Sequence, residues 1–299
     1  MTRLKPFVLI GALCTTACTV GPVYEPPAPP APAFSTLVTE GGELVRYGEP
    51  VDDQWWGRLE DPALMALVAE ARAANPDLQV AVARMEEARA MALGARSRLL
   101  PAVAGEASAR RVNASEVAGA FGPPPQFPEE QSDYLAEVSA GWEIDLFGRL
   151  RSRAAAAAFQ AEAADWARRD VLLGVTARVV AEYAGLVSLN ERAAVAQDNR
   201  DAAAETLVLV QRLRDADLGG RDVVLLARAD LRAADAELHA LTAARHGAAA
   251  RLAVLLGRDV GAAIPDLIQI ADGPLALPAV PTGLPGELMR RRPDVRAAE

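Results

Sequence analysis

A change of period sits at the centre of this chain. From Tyr134 to Leu146 the residues alternate without a break. Tyr134, Ala136, Val138, Ala140, Trp142, Ile144 and Leu146 fall on one face, and Leu135, Glu137, Ser139, Gly141, Glu143 and Asp145 on the other. A period of two belongs to a strand, whose successive side chains point to opposite faces. The run is longer than the roughly 9–11 residues that a tilted strand needs to cross a bilayer. Its faces, one apolar and one acidic, match a barrel strand with lipid outside and a wet lumen inside. This pattern predicts Tyr134, Val138, Trp142 and Ile144 toward lipid, and Glu137, Glu143 and Asp145 toward the lumen. Phe147-Gly148-Arg149 then turns the chain, and the period becomes helical. Leu150, Ala157, Ala164 and Val171 recur at steps of seven, and Val175, Val179, Tyr183 and Leu186 at steps of four and three.

The flanking segments follow the same logic. Asp61-Pro62 predicts a helix start, with Asp61 as cap and Pro62 at the first helical position. Leu64, Leu67, Val68 and Ala71 form its apolar stripe, and Asn75-Pro76-Asp77 breaks it and opens a helix from Leu78 to Leu99. Arg84, Glu86, Glu87 and Arg89 on that helix read as a solvated face with helix ion pairs. Ala102 to Val112 alternates weakly, Val103, Gly105, Ala107 and Ala109 against Ala104, Glu106, Ser108 and Arg110, and becomes a hairpin partner for the strand from Tyr134. The connection from Asn113 to Asp133 is a long loop of the kind that faces outward on membrane barrels. Beyond Leu186 the pattern predicts a separate helix from Glu191 to Arg214, a reversal at Asp215 to Gly220, and a third helix. In that third helix Val224, Leu231, Leu238, Arg245 and Leu252 form one heptad series, and Ala227, Ala234, Leu241, Ala248 and Leu255 a second. Two offset heptad series predict coiled-coil packing. Gly257 supplies the stop, and a proline-rich connector follows.

The N-terminus carries an address. Arg3 and Lys5 precede the short apolar run Phe7 to Leu13, a secretory signal too short to span a membrane. The run ends in Thr15-Thr16-Ala17-Cys18, which is similar to a bacterial lipoprotein cleavage site. That similarity implies removal of residues 1–17 and a covalent lipid on Cys18, with Thr19 after it fitting export to the outer membrane. An ordinary signal peptide with an incidental cysteine is the other reading. Residues 18–50 hold too many prolines for helix or central strand and read as an extended tether.

Composition then narrows the function. In 299 residues, aromatics make up only 5%, which with the abundant alanine favours long, closely packed helices over a bulky core. A net charge of −9 argues against nucleic acid as a partner. The two cysteines both lie in the first eighteen residues, so the rest has no disulfide framework and no cysteine-based metal site. His239 and His246, with Asp235 four residues before the first, are two helical ligands without a third, and a wet helix face is the simpler reading. Glu137, Glu143 and Asp145 have no evident opposing catalytic partner. No enzymatic role and no metal is expected. Finally, Pro76-Asp77-Leu78-Gln79-Val80-Ala81 is echoed by Pro293-Asp294-Val295-Arg296-Ala297-Ala298, 217 residues on. The echo suggests a duplicated architecture whose second copy is just starting, so the chain reads as a fragment.

Four stretches in order carry a family resemblance: Cys18-Thr19-Val20-Gly21-Pro22-Val23-Tyr24, Ala140-Gly141-Trp142-Glu143-Ile144-Asp145-Leu146-Phe147-Gly148-Arg149, Leu255-Leu256-Gly257-Arg258, and Arg291-Arg292-Pro293-Asp294-Val295-Arg296-Ala297-Ala298-Glu299. Together they resemble the outer-membrane efflux proteins of TolC type, in the NodT-like lipoprotein branch that serves resistance-nodulation-division pumps. The resemblance implies a mostly α fold with a membrane β-hairpin, of which this chain holds the first repeat. Long coiled-coil helices (149–258) would line an α-barrel in the periplasm, and the hairpin (101–148) would join a trimeric outer-membrane β-barrel. Residues 51–100 would be N-terminal helices, and 259–299 a connector with the start of the second repeat. The implied function is a passive exit duct, a homotrimer docked through a periplasmic adaptor to an inner-membrane transporter. The docking tip would be Ala216, Asp217, Leu218, Gly219, Gly220 and Asp222, where family members usually carry a Gly-Leu pair. No cofactor is implied beyond the lipid on Cys18. A periplasmic adaptor would share the coiled coil and the anchor but needs compact β-rich halves flanking it. A structural lipoprotein without a pore leaves the alternation from Tyr134 unexplained.

Overall fold

The computed structural model describes residues 45–47, 54–113, 130–271, 273, 275, 280–283 and 289–299. In chain order these form β1 (Val45–Tyr47), a 3₁₀ turn (Trp55–Leu59), α1 (Pro62–Ala74), α2 (Pro76–Ser97), β2 (Ala102–Asn113) and β3 (Glu130–Gly141). There follow α3 (Arg149–Asp215), α4 (Arg221–Leu256), α5 (Val260–Ile270), β4 (Val280–Gly283) and α6 (Pro293–Ala298). The architecture is mostly helical, with β2 and β3 as an antiparallel hairpin and β1 and β4 as a short parallel pair. The described residues group into two compact units. One is Glu87–Ala161, and the other combines residues 54–86 with Glu162–Glu299.

The second unit holds the main apolar core. Leu64, Leu67, Val68 and Ala71 of α1 pack with Val175, Val179, Val180, Tyr183, Leu186 and Val187 of α3. The last turns of α4 contribute Ala248, Ala249, Leu252, Ala253 and Leu256, and α5 adds Ala263 and Leu267. Asp61 caps α1 as its position predicts. Its Oδ1 accepts from the N–H groups of Ala63 (2.8 Å) and Leu64 (3.0 Å). Its Oδ2 accepts the hydroxyl of Tyr183 at 2.7 Å. Burial and the adjacent Asp61 carboxylate push the Tyr183 phenol well above its ordinary value, so it stays a donor.

Asn75 closes the same core. It is 2% exposed. Its Oδ1 accepts from Leu78 N–H (3.0 Å), capping α2, while its Nδ2 donates to the Leu255 carbonyl (2.8 Å) at the end of α4. Beside it Gly257 ends α4 in the left-handed conformation, φ +69°, where a Cβ would stand 2.7 Å from the Ala74 carbonyl oxygen. Only glycine meets both conditions without strain. Arg258 then grips Glu70 through two parallel bonds, Nε–Oε1 at 2.6 Å and Nη2–Oε2 at 2.5 Å. The Leu-Leu-Gly-Arg stretch is therefore the seat on which the end of α4 meets the α1–α2 break.

Two expectations are corrected. The stretch after Gly257, read as a proline-rich connector, opens with α5, which Asp259 caps by accepting from Ala262 N–H (2.9 Å) and which contains Pro265. The sequence predicts separate helices to Leu186 and from Glu191, but α3 is a single helix of 67 residues. The polar Asn190 does not interrupt it, because its Nδ2 donates to the carbonyls of Ile268 (2.8 Å) and Ala271 (2.6 Å) at the end of α5. The side chain caps a neighbouring helix instead of breaking its own. In α4 all ten residues of the two heptad series are buried or half-buried. Cross-helix pairs Glu182–Arg251 (2.9 Å) and Arg200–Asp235 (3.1 Å) fix its antiparallel register on α3. The echoed segments also agree, since Pro76 and Pro293 each open a helix at its first position.

Replacing Asn75 by Ala strips two buried partners at once. We expect a loss of about 3 kcal/mol, read as a lowered denaturant midpoint with an unchanged slope in urea unfolding.

Candidate functional site

The hairpin register decides what each strand face carries. Ala102 pairs with Gly141, Glu106 with Glu137, Ala109 with Tyr134 and Arg110 with Asp133. Directly paired residues share a face. One face therefore gathers Val103, Gly105, Ala107 and Ala109 with Tyr134, Ala136, Val138 and Ala140. It is wholly apolar over these rungs, yet Tyr134 is 82%, Val138 79% and Val103 71% exposed. The other face carries Glu106, Ser108 and Arg110 with Asp133, Glu137 and Ser139. A lone two-stranded hairpin is marginal in water, so an uncovered apolar face of this size needs lipid or further strands.

Two of the lipid-facing positions, Tyr134 and Val138, lie on that apolar face. The strand itself is displaced from its expected span, however. It runs from Glu130 to Gly141, not from Tyr134 to Leu146. Trp142, Glu143, Ile144 and Asp145 lie beyond it, and the alternation that suggested strand continues through an irregular turn. The acids there have local partners that end the ladder. Glu143 binds Arg149 (2.5 Å). Asp145 Oδ2 accepts from the Arg151 backbone N–H (2.8 Å) and from Arg151 Nε (3.4 Å). Gly148, at φ +79°, makes the turn between them. Partial burial pushes the Asp145 carboxyl up. The backbone N–H groups of Arg151 and Leu150, with the Arg151 guanidinium, outweigh it and hold the carboxyl below its usual range. Of the three acids assigned to one strand face, only Glu137 sits on the strand. Its cross-strand partner is another carboxylate, Glu106, which sequence alone does not pair with it.

The reversal between α3 and α4 lies where the sequence predicts. Leu218 N–H reaches back to Leu213 O (2.8 Å) and Asp217 N–H to Arg214 O (3.0 Å). This is the double bond pattern of a Schellman stop. Asp217 takes the left-handed position, φ +60°, that glycine usually fills. Leu218 follows it, 76% exposed. Asp217-Leu218 thus stands where a Gly-Leu pair is expected. Ala216, Gly219 and Gly220 complete the turn and Asp222 lies in the first turn of α4, all of them exposed.

His239 and His246 are both exposed on α4, and Asp235 binds Arg200. Among the described residues no three His, Cys, Asp or Glu side chains are grouped to hold a metal. Cys18 lies outside the described residues.

Comparison with known proteins identifies this arrangement. The profile of the family described as "Outer membrane efflux protein" matches residues 67–258. This chain belongs to that family. It is 27% identical over 288 residues to Nodulation protein T of Rhizobium leguminosarum bv. trifolii, covering 96% of this chain and 59% of that protein. It is 30% identical over 250 residues to the pyoverdine export outer membrane protein OpmQ of Pseudomonas aeruginosa, covering 82% of this chain and 52% of the relative. Among solved structures it is similar to the outer-membrane channel OprN, with a TM-score of 0.75 and 32% identity over 94% of this chain and 61% of that one. The fold is shared with the CmeC outer membrane channel of Campylobacter jejuni, at a TM-score of 0.76 and 20% identity, over 93% of this chain and 58% of the other. The chain thus spans between half and two thirds of the length of these relatives.

The pairing at Asp145 makes the strand-to-helix turn sensitive to acid. Its carboxyl lies below its unfolded value. Its contribution is therefore complete above about pH 4 and is lost as the pH falls through the native value. Amide protection factors across residues 142–152, measured against intrinsic exchange rates at each pH, should fall below about pH 4, and Asp145→Asn should show the lower protection already at neutral pH.

Proposed function

We propose that the protein containing this chain is the outer-membrane component of a tripartite efflux system, a passive exit duct. The observation that carries this reading is the hairpin register, which places Val103, Tyr134 and Val138 together on one exposed face. That face is suited to lipid and the opposite one to water. Membership of the outer membrane efflux family supports it, as do relatives named for pyoverdine export and for toluene efflux.

On this reading β2 and β3 supply two strands of a barrel shared by three copies. Open strand edges are not tolerated in lipid, so closure requires neighbours. The paired α3 and α4 line a periplasmic tunnel. The reversal at Ala216 to Gly220, with exposed Leu218, docks a periplasmic adaptor that connects to a resistance-nodulation-division transporter of the inner membrane. The transporter supplies the energy. Cys18 carries a lipid that anchors the N-terminus to the outer membrane. Glu137 faces the lumen together with Glu106, and the pair repeats three times around the pore. Glu143 and Asp145, held by arginines, act at the junction and not as pore lining.

Reconstitution in planar bilayers tests the duct. We expect cation-selective conductance, and replacing both Glu106 and Glu137 by Gln should bring the cation-to-anion permeability ratio toward unity. Absence of any conductance from the purified trimer would refute a pore. A separate experiment addresses the tip. Leu218→Asp should reduce cross-linking to the adaptor at least tenfold, the order expected for desolvating a charge in an apolar contact, while conductance is retained.

A further inference from the structure

The open end of the hairpin bears an unusual collar. Leu100, Trp142, Ile144, Leu146 and Phe147 lie within a few residues of it, and each is at least 60% exposed. Trp142 Nε1–H donates to the Leu99 carbonyl at 3.1 Å, which brings the indole onto the α2–β2 junction. Arginines interleave with these side chains. Arg96 and Arg98 precede β2, and Arg149, Arg151 and Arg153 open α3, all of them exposed. Only two carboxylates, Glu143 and Asp145, lie in the same segments. In a chain of net charge −9 this is a local reversal of sign. Arg149 engages Glu143 through Nη2 alone. A guanidinium carries five N–H groups, so donors remain. Arg98 and Arg153 meet no carboxylate among the described residues.

The apolar face locates this collar against a bilayer. Tyr134 marks one end of the band, and past it the same face turns polar at Arg111 and Ser132. Trp142 lies eight residues from Tyr134, at the other end. Eight steps at about 3.4 Å each, tilted about 40°, rise roughly 21 Å, near the apolar height of an outer-membrane barrel. Aromatics at both ends of such a band mark the two interfaces. The arginines sit just past Trp142, at headgroup depth.

We propose that this collar binds the headgroups of anionic phospholipids, with the apolar side chains seated at the interface and the guanidiniums on lipid phosphates. Charge complementarity commits it to anionic lipid, because arginines at an interface gain from a negative surface. The inference rests on the reading of β2 and β3 as membrane-spanning.

The test uses the purified full chain, floated with vesicles of phosphatidylcholine alone or mixed with phosphatidylglycerol, and compares it with R98Q/R153Q. Protease protection of the hairpin reports insertion independently. The wild type is expected to insert in both and to favour phosphatidylglycerol vesicles by about tenfold, a preference that falls with added salt. The double variant should insert equally and lose most of that preference. Insertion without a lipid preference, or an unchanged preference in the double variant, would overturn the collar while leaving the spanning hairpin intact. A hairpin left unprotected in both vesicles would overturn the spanning reading and this inference with it.

Discussion

Two helix ends of the core are joined through the side chain of Asn75. One amide satisfies two helix ends, the first turn of α2 through Oδ1 and the last turn of α4 through Nδ2. A helix leaves four N–H and four C=O groups without intrahelical partners, and buried ones are costly. Helix ends can therefore converge here only if each supplies the other's missing partner. Gly257 removes the Cβ that would collide with Ala74, and Arg258 fastens to Glu70 on α1. The three residues work together: a cap, a clearance and a clamp.

Asn190 applies the same solution to the longest helix. Its amide hydrogens go to the end of α5, so a polar residue within α3 serves a neighbouring helix without breaking its own. Continuity over 67 residues suits the proposed reading of α3 as part of a tunnel wall. Its stability comes from the apolar face buried between Val175 and Ala196 more than from propensity. Alanine in the seam of α4 keeps the two partners close.

The strand-to-helix turn shows how ion pairs place chemistry. Glu143 and Asp145 look like a continuation of an acidic strand face. Each is six residues before an arginine, and the turn at Gly148 folds these pairs together. They end the ladder, orient the start of α3 and leave Glu137 as the acid on the strand, opposite Glu106. The same turn leaves Trp142 and its apolar neighbours uncovered beside a cluster of arginines, a surface suited to a charged interface.

Periodicity marked most local elements, although it set the second strand at 134–146 instead of Glu130–Gly141 and split α3 in two. Alternation marked β2 and β3, the heptads marked the buried face of α4, and Asp61-Pro62, Asn75-Pro76 and Gly257 marked helix ends. These signals are local, set by backbone geometry and the spacing of apolar residues. Tertiary structure alone decided the partners. It opposed Glu106 to Glu137, drew Glu143 and Asp145 off the strand, and ran α3 through Asn190. It also let Asp217 replace a glycine in a left-handed turn. Each outcome depends on a group brought from elsewhere in the chain, or on a turn that changes which residues meet. A period along the sequence carries no information about what lies across from it.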